Sequence, residues 1–273
     1  MMVAGRTPSS SHYFSIVRAY LIDNDYINAI EAMQVMEATQ YSQDGDSESP
    51  GQSGLCFTTR QYESIKKLLV DTLTVSGDVG DLDQLYFTMV DQVRNENPVP
   101  RIALDAIVEA AGRLDITDRA FATFQEYKGL FNVQPDIHSY NSLLATCAYA
   151  RNINMHTLLS VFQDLDAEAD AHGQAVNCRP NSTSFSLLIE AMVDSDDFRV
   201  FDAVFAHMTE SGVVPSPRAM RRVIVAFMKS GTIEGIEKAE MLKQALIDQQ
   251  EGRPLPGWFL DRLDNIRNTD TES

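Results

Sequence analysis

The residue types that could support metal binding or catalysis are scattered along this chain rather than clustered. The chain contains three cysteines, Cys56, Cys147 and Cys178. They lie 91 and 31 residues apart and form no CxxC or Cys/His spacing, which argues against a zinc site and against a disulfide scaffold. Glu168, Asp170 and His172 alternate along one segment, and alternate residues of a helix point to different faces. We therefore predict no metal site and no cofactor.

Sequence motifs of known catalytic sites are absent from the chain. It has no HExxH zinc motif, no Walker phosphate-binding loop, no GxGxxG dinucleotide motif and no zinc deaminase signature. Together with the scattered titratable residues, these absences predict a protein that is not an enzyme.

Arg218, Arg221 and Arg222 form a basic group at i, i+3 and i+4, a spacing that places side chains on one helix face. The whole chain is acidic, with 39 Asp and Glu against 22 Lys and Arg and a net charge of −17. Residues 199–253 are the exception, with 8 basic and 7 acidic residues. DNA binding is not expected, because it needs a basic footprint. If a polyanion binds at all, it is expected on the arginine group. A solvated helix face is the alternative interpretation of that group.

Neither a membrane span nor a targeting segment is evident. The apolar run Val223–Met228 is six residues long, whereas a membrane-spanning helix needs about 20. Residues 1–11 contain one Arg, three Ser and no apolar core, which predicts no secretory signal and no clear transit peptide. The two methionines at the start are also compatible with a chain that begins inside a longer reading frame.

Apolar residues recur at i, i+3, i+4 and i+7 in six places, and each set is followed by a second one. One such pair of sets is Phe185, Leu188, Ile189 and Met192, then Phe201, Val204, Phe205 and Met208. This spacing indicates one buried face of a helix. Two such helices cannot bury their faces alone and must stack on neighbours. The sequence therefore predicts an all-α α-solenoid of about six stacked helix-turn-helix repeats.

Two segments resemble the pentatricopeptide repeat family. Residues 182–216, STSFSLLIEAMVDSDDFRVFDAVFAHMTESGVVPS, form a unit of 35 residues with Gly212 and Pro215 near its end. Residues 135–150, PDIHSYNSLLATCAYA, are similar to the opening of a family repeat, PD-x-x-(T/S)-Y-N-x-L-(I/L). The tetratricopeptide pattern W-x2-L-G-x2-Y is absent. The resemblance is specific over residues 101–250 and degenerate over residues 11–100.

The resemblance implies single-stranded RNA binding at one base per unit, through the second and fifth residues of each first helix and the last residue of the unit. The implied RNA-binding residues are His138, Asn141 and Asn181 in the fourth unit, Thr183, Ser186 and Ser216 in the fifth, and Arg218 and Arg221 in the sixth. Asn141 with Asn181 looks like a pyrimidine-reading pair, since amides both donate and accept hydrogen bonds. In the third unit, Asp105 and Asp136 are expected to repel phosphate.

The domain organisation follows from composition and from the resemblance. We expect a disordered N-terminus at 1–10, degenerate hairpins at 11–100 with an acidic disordered loop at 37–56, pentatricopeptide-like repeats at 101–250, and a capping helix and tail at 255–273. Trp258 and Leu263 are expected to pack over the last apolar face, and a packed cap is preferred to a binding role for Trp258.

Two functions remain open at this point. The resemblance implies an RNA-associated protein of the mitochondrion or another organelle, acting in RNA processing, stability or translation. The alternative is an acidic helical-repeat scaffold for protein–protein interaction that binds a basic partner by electrostatic complementarity. A tetratricopeptide-like chaperone adaptor is more distant, because it would need a basic groove that clamps carboxylates and only one end of the chain is basic.

Overall fold

A computed structural model describes residues 10–41, 58–151, 154–172, 178–249 and 254–269. Within these ranges all regular secondary structure is α-helical. The helices are α1 (Ser10–Ile22), α2 (Tyr26–Tyr41), α3 (Thr59–Thr74), α4 (Gly80–Arg94), α5 (Arg101–Arg113), α6 (Thr117–Gly129), α7 (Ile137–Tyr149), α8 (Met155–His172), α9 (Ser182–Ser195), α10 (Phe201–Glu210), α11 (Pro217–Lys229), α12 (Ile233–Gln249) and α13 (Gly257–Thr269). Six successive pairs and a final helix confirm the predicted all-α repeat class.

The chain divides into two compact units, residues 1–146 and residues 147–273, and the boundary falls within α7. In the first unit, α1 packs on α2 and α3, α3 packs on α4 and α5, and α5 packs on α4 and α6. First helices of successive pairs therefore contact one another, which is the packing mode of an α-solenoid.

The second unit repeats this packing. Helix α9 contacts α8, α10 and α11, and α11 contacts α12 and α13. The apolar set predicted from residue 185 onwards is buried: Phe185, Leu188, Ile189 and Met192. Helix α13 occupies residues 257–269 of the segment predicted as a capping helix, and residues 270–273 lie outside the described ranges. Its Phe259 and Leu263 are buried.

Residues with a left-handed backbone terminate the helices. They follow the first helices at Asn24, Gly77, Asp115, Asp196 and Gly231. After Asp115 and Asp196 the next N–H donates to a carbonyl five residues earlier, Ile116 to Ala111 at 3.0 Å and Asp197 to Met192 at 3.0 Å. This bond satisfies carbonyls at the helix end, and Asn, Asp and Gly adopt positive φ at the least steric cost. The turns inside the hairpins are therefore determined locally.

Two segments predicted to be disordered are only partly described. Helix α1 already begins at Ser10, and α2 continues to Tyr41, five residues into the segment predicted as a loop at 37–56. The extension is reasonable because Met36, Glu37 and Ala38 are good helix formers. Residues 1–9 and 42–57 lie outside the described ranges.

Helix α5 and the C-terminal part of α7 approach each other closely at Gly112. A Cβ at this position would lie 2.7 Å from the Thr146 Cα. Thr146 Oγ1 donates to the Val108 carbonyl at 2.9 Å across the same contact. Only a residue without a side chain fits here, so Gly112 sets the separation of the two helices.

Candidate nucleic-acid interface

The first helices of residues 1–146 contain a connected set of buried charges. The Lys66 Nζ lies 3.2 Å from Glu63 Oε2 and 3.3 Å from Glu109 Oε2, and it donates to Ser142 Oγ at 3.2 Å. Burial alone would lower the pKa of Lys66, but the carboxylates of Glu109 and Glu63 outweigh it and raise the pKa. Lys66 is thus a charged group whose donors face the protein interior.

Two further cations of this unit are also neutralised. Arg113 Nη2 lies 2.9 Å from Glu109 Oε1, and its Nη1 lies 3.0 Å from Asp71 Oδ1. Arg101 Nη2 lies 2.8 Å from Asp136 Oδ2. A cation that already contacts a carboxylate at about 3 Å contributes little net potential for a phosphate. Lys66, Arg101 and Arg113 therefore do not make a site for a polyanion.

Asp105 is buried, whereas the sequence predicted that it would face a groove and repel phosphate. Its side chain is 0% exposed and accepts hydrogen bonds from Tyr62 Oη at 2.5 Å and Tyr127 Oη at 2.9 Å. Burial, reinforced by the charge of Asp136, raises the pKa of Asp105, and the bond from Tyr62 opposes that rise. The prediction was wrong because the position of Asp105 in α5 shows only on which helix face it lies. Tyr62 of α3 and Tyr127 of α6 cover that face, which the local sequence does not show.

His138 and Asn141, two of the residues implied to bind RNA, lie in α7. The His138 Nδ1 is 2.8 Å from Glu63 Oε1, and its ring lies 4.5 Å from the Tyr62 ring, centroid to centroid. Asn141 is 4% exposed. A side chain that reads a base edge has to reach that base from the surface, and as placed Asn141 does not present its amide to solvent.

Asn181, Ser186 and Ser216 serve the local structure of the second unit. Asn181 Oδ1 caps α9 by accepting from the N–H groups of Thr183 at 2.9 Å and Ser184 at 3.1 Å. Ser216 Oγ caps α11 by accepting from Ala219 N–H, and Ser216 N–H donates to Ser186 Oγ at 2.9 Å. Thr183 is exposed. The residue that ends each of these units is therefore the N-cap of the next helix, which explains its polar type without a ligand.

Metal-ligating side chains are dispersed in the part of the chain that the structure describes. Within the ranges listed above for the fold, no three His, Cys, Asp or Glu side chains are placed to share a metal ion. No helix there combines the length and the apolar composition that a membrane span requires. Cys147 and Cys178 are buried and form no disulfide, and burial raises the pKa of Cys147 to about 11. A thiol with so high a pKa is a poor nucleophile near neutral pH.

The second unit contains a groove of about 920 Å³ between α11, α13 and the start of α12. Its basic lining residues are Arg218, Arg221, Arg222, Lys229, Lys238 and Arg262, and its acidic ones are Asp196 and Glu234. Helix α11 supplies most of the cations because its opposite face, which includes Met220, Val223 and Ile224, is buried. The amphipathic pattern of one helix therefore concentrates positive charge on one wall.

The cations of this groove differ in how far they are neutralised. Arg222 Nη1 lies 3.4 Å from Glu190 Oε2, and its Nη2 contacts Asp194. Lys238 Nζ lies 2.9 Å from both Asp202 Oδ2 and Glu234 Oε1.

Arg218 is largely exposed and has only a distant carboxylate, with its Nε 3.8 Å from Glu190 Oε1. Arg221, Lys229 and Arg262 form no ion pair with any residue of the described ranges. Four cations thus remain available to an anionic ligand.

Trp258, at the start of α13, lies on the rim of this groove and is 59% exposed. The prediction that Trp258 packs as a cap was wrong, because the adjacent Phe259 fills that place and is 1% exposed. The guanidinium carbon of Arg221 lies 5.7 Å from the centroid of the Trp258 ring, within the range of a cation–π contact.

The sequence had indicated only part of this groove. It identified Arg218 and Arg221, whereas Lys229, Lys238, Arg262 and Trp258 were missed. One signal was available: Trp258 is the second residue of α13, the same register as Arg218 in α11. The contribution of Lys238 depends on how α12 packs beside α11, which no local pattern contains.

Comparison with known proteins gives consistent relatives. A family model described as pentatricopeptide repeat domain matches residues 125–195. A mitochondrial pentatricopeptide repeat-containing protein of Arabidopsis thaliana is 26% identical over 143 residues, covering 52% of this chain and 21% of its own length. A chloroplastic one from the same plant is 28% identical over 138 residues, covering 48% of this chain and 24% of its own. The chain thus spans about a fifth to a quarter of the curated relatives it matches.

Two solved structures of one pentatricopeptide repeat protein also align with this chain. The crystal structure of the pentatricopeptide repeat protein PPR10 in complex with an 18-nucleotide psaJ RNA element aligns with 91% of this chain and 34% of its own, with 16% identity and a TM-score of 0.47. A cysteine-to-serine variant of that protein, also with RNA, gives the same values. Residues 125–195 match the pentatricopeptide repeat model, and the chain is similar over about half of its length to two pentatricopeptide repeat-containing proteins.

Proposed function

We propose that this chain is a non-catalytic protein that binds single-stranded RNA, and that the RNA lies in the groove of residues 147–273. The observation that carries the proposal is the groove itself, in which Arg221, Lys229 and Arg262 have no ion pair among the described residues and Arg218 has only a distant one, at 3.8 Å. Backbone phosphates are the ligands that such a row of cations attracts. A single strand also has unpaired bases, which can contact the aromatic ring of Trp258 in the same groove.

The distribution of paired charges supports this placement. In residues 1–146, the charged groups of Lys66, Arg101 and Arg113 lie 3.3, 2.8 and 3.0 Å from a carboxylate. An RNA phosphate would have to displace these carboxylates, and in an acidic unit that exchange is unfavourable. The proposal therefore retains Arg218 and Arg221 as RNA contacts.

The implied base readers take different places in the proposal. Thr183, Ser186 and Ser216 border a shallow depression beside Glu190, where an adjoining nucleotide of the same strand would lie. The proposal does not depend on Asn181, whose Oδ1 caps α9. The proposal does not depend on His138 or Asn141, whose surroundings are interior.

The biological setting is part of the same proposal. The two Arabidopsis relatives are named mitochondrial and chloroplastic, which supports an organellar protein that acts in RNA processing, stability or translation. Contact with few nucleotides would suit a protein that holds a transcript next to other factors rather than one that selects a long sequence by itself.

The direct experiment is fluorescence anisotropy of this chain with a labelled random single-stranded RNA over a range of salt concentrations. Four phosphate contacts predict that log K falls with log salt with a slope of about −2.8, at about −0.7 per contact. The double variant Arg221→Gln/Arg262→Gln is expected to halve this slope and to weaken binding roughly tenfold, because each exposed ion contact is worth up to about 1 kcal/mol.

A charge-matched control is available outside the groove. Arg94 and Arg199 are exposed and each pairs with a nearby aspartate, so Arg94→Gln/Arg199→Gln changes the net charge equally and is expected to leave the slope unchanged. Absence of RNA binding even at low salt would refute the proposed function. Equal losses in both double variants would mean that overall charge, not the groove, attracts the RNA.

A second candidate function is favoured by the charge of the N-terminal part of the chain. Residues 1–98 contain 14 acidic and 6 basic residues, and Lys66 among the latter is buried and paired. Such a surface would suit a basic protein partner. Asp78 and Asp81 form no ion pair among the described residues. Binding of an oligolysine peptide that excess RNA does not displace, and that is lost when Asp78 and Asp81 are changed to Asn, would support this candidate. An oligolysine peptide that RNA displaces completely would contradict it.

A further inference from the structure

Trp258 is placed where the fold does not use it. It is the single tryptophan of the chain, and more than half of its side chain is exposed while the next residue, Phe259, is buried. Helix α13 packs on α11 through Phe259 and Leu263, so the stability of this contact does not require Trp258. One exposed apolar residue is ordinary on a protein surface, and the groove around Trp258 is what gives it significance.

The surroundings of Trp258 combine an aromatic face with available positive charge. Arg221 lies against the indole ring at 5.7 Å, and Arg262 is one turn further along α13 in the same wall. Of the two carboxylates that line the groove, Glu234 is neutralised by Lys238 at 2.9 Å. An anionic ligand would therefore meet two cations within reach of the ring, and among the described lining residues Asp196 is the one carboxylate left to oppose it.

We propose that Trp258 is a base-stacking residue: its exposed face takes one unpaired nucleobase of a single strand, and Arg221 and Arg262 hold the flanking phosphates. This inference rests on the proposed RNA binding and adds the residue and the type of contact. An indole ring has one hydrogen-bond donor, its N–H, and no acceptor. It therefore cannot distinguish the bases by a pattern of several hydrogen bonds. Because every base has a π-face, the contact at Trp258 is expected to tolerate any of the four bases.

Intrinsic fluorescence reports on this contact directly, because all tryptophan emission of the chain comes from Trp258. Titration of the full chain with unlabelled random single-stranded RNA is expected to quench that emission to saturation. Duplex RNA of the same length presents phosphates but keeps its bases stacked, and it is expected to bind through charge with little quenching.

Two variants of Trp258 separate stacking from charge. Trp258→Ala is expected to weaken single-stranded RNA binding by about fivefold or more, the range found for losing one stacked base, while the salt slope stays that of the wild type. Trp258→Phe keeps an aromatic face and is expected to recover most of the affinity. Phe87, an aromatic residue of α4 that is also more than half exposed, provides the matched control, and Phe87→Ala is expected to change neither affinity nor slope.

The outcomes distinguish this inference from the proposed function. RNA binding by anisotropy with no change in emission, or with full affinity retained in Trp258→Ala, would overturn the stacking role and leave RNA binding intact. A parallel loss in Trp258→Ala and Phe87→Ala would overturn it as well, because the effect would not belong to the groove. No RNA binding by the wild type would overturn the proposed function, and the inference with it.

Discussion

Replacing Lys66 by Met tests whether the buried charges of the first unit hold it together. Lys66 and Glu109 have side chains only 8% and 10% exposed, and their charged atoms lie 3.3 Å apart. Removing one partner of a desolvated pair costs about 3–5 kcal/mol, because the other charge stays buried. Glu63 is 44% exposed, so its separate pair with Lys66 adds at most about 1 kcal/mol.

Arg113 reduces the expected cost. It remains 2.9 Å from Glu109 Oε1 in the variant, so Glu109 keeps one cation and the lower end of the range applies. We expect Lys66→Met to lower the free energy of unfolding by about 3 kcal/mol. Ser142 Oγ still donates to the His138 carbonyl at 3.0 Å, so no lone hydroxyl adds to the loss.

The assay is urea unfolding followed by far-UV circular dichroism, with hydrogen exchange of α3 and α5 to locate the loss. The double variant Lys66→Met/Glu109→Leu removes both charges and is expected to return to within about 1 kcal/mol of the wild type, since apolar replacements avoid the desolvation cost. Lys67→Met, at the adjacent exposed position, is the control and should change stability by less than about 0.5 kcal/mol.

Two results would refute the reasoning on Lys66. A loss below about 1 kcal/mol in Lys66→Met would mean that the pair is not desolvated. Additive losses in the double variant would mean that Lys66 and Glu109 are not coupled. In either variant RNA binding should be unchanged if the groove of residues 147–273 carries it.

Three other predictions concern packing, ionisation and capping. Gly112→Ala gains up to about 1 kcal/mol of helix propensity but places a Cβ 2.7 Å from the Thr146 Cα, so thermal unfolding should show a net loss of about 1–2 kcal/mol; a raised melting temperature would contradict the close approach. Burial raises the pKa of Cys147 from 9.0 to about 11, so its thiol ionises first in the unfolded chain. The free energy of unfolding of the wild type, relative to that of Cys147→Ala, should therefore fall by about 1.4 kcal/mol between pH 7 and pH 10. A difference between the two proteins that stays constant over this pH range would contradict the prediction. Asn181→Ala should cost about 1 kcal/mol through the lost α9 cap, whereas Asn181→Asp should keep it, as denaturant midpoints would show.

The helical pairs could be predicted from sequence because their signals are local. Phe185, Leu188, Ile189 and Met192 are spaced for one helix face, and all four are buried. The turns likewise depend on single residues such as Asp115 and Asp196, whose positive φ ends a helix. A period of 3.6 residues and a left-handed backbone position are properties of a short stretch of chain, so one sequence suffices to find them.

The buried charges could not be predicted in this way. Lys66 interrupts an apolar set in the sequence, and Asp105 occupies a position implied to face a groove, yet both are buried. Their partners Glu109, Tyr62 and Tyr127 lie on other helices, from 22 to 43 residues away. Whether a polar residue is satisfied inside or exposed to solvent depends on such distant groups, which a local pattern does not contain.

The candidate groove also contains one part that the sequence could predict and one part that it could not. The sequence by itself determined the helix register that brings Arg218 and Arg221 to one face, since i and i+3 neighbours are adjacent on any α-helix. Only the tertiary structure decided that Trp258 is exposed beside Arg221 and that Phe259 takes the packed position. Packing admits one of two adjacent aromatic residues to the interface of α11 and α13, and the choice depends on the shape of both helices rather than on either sequence.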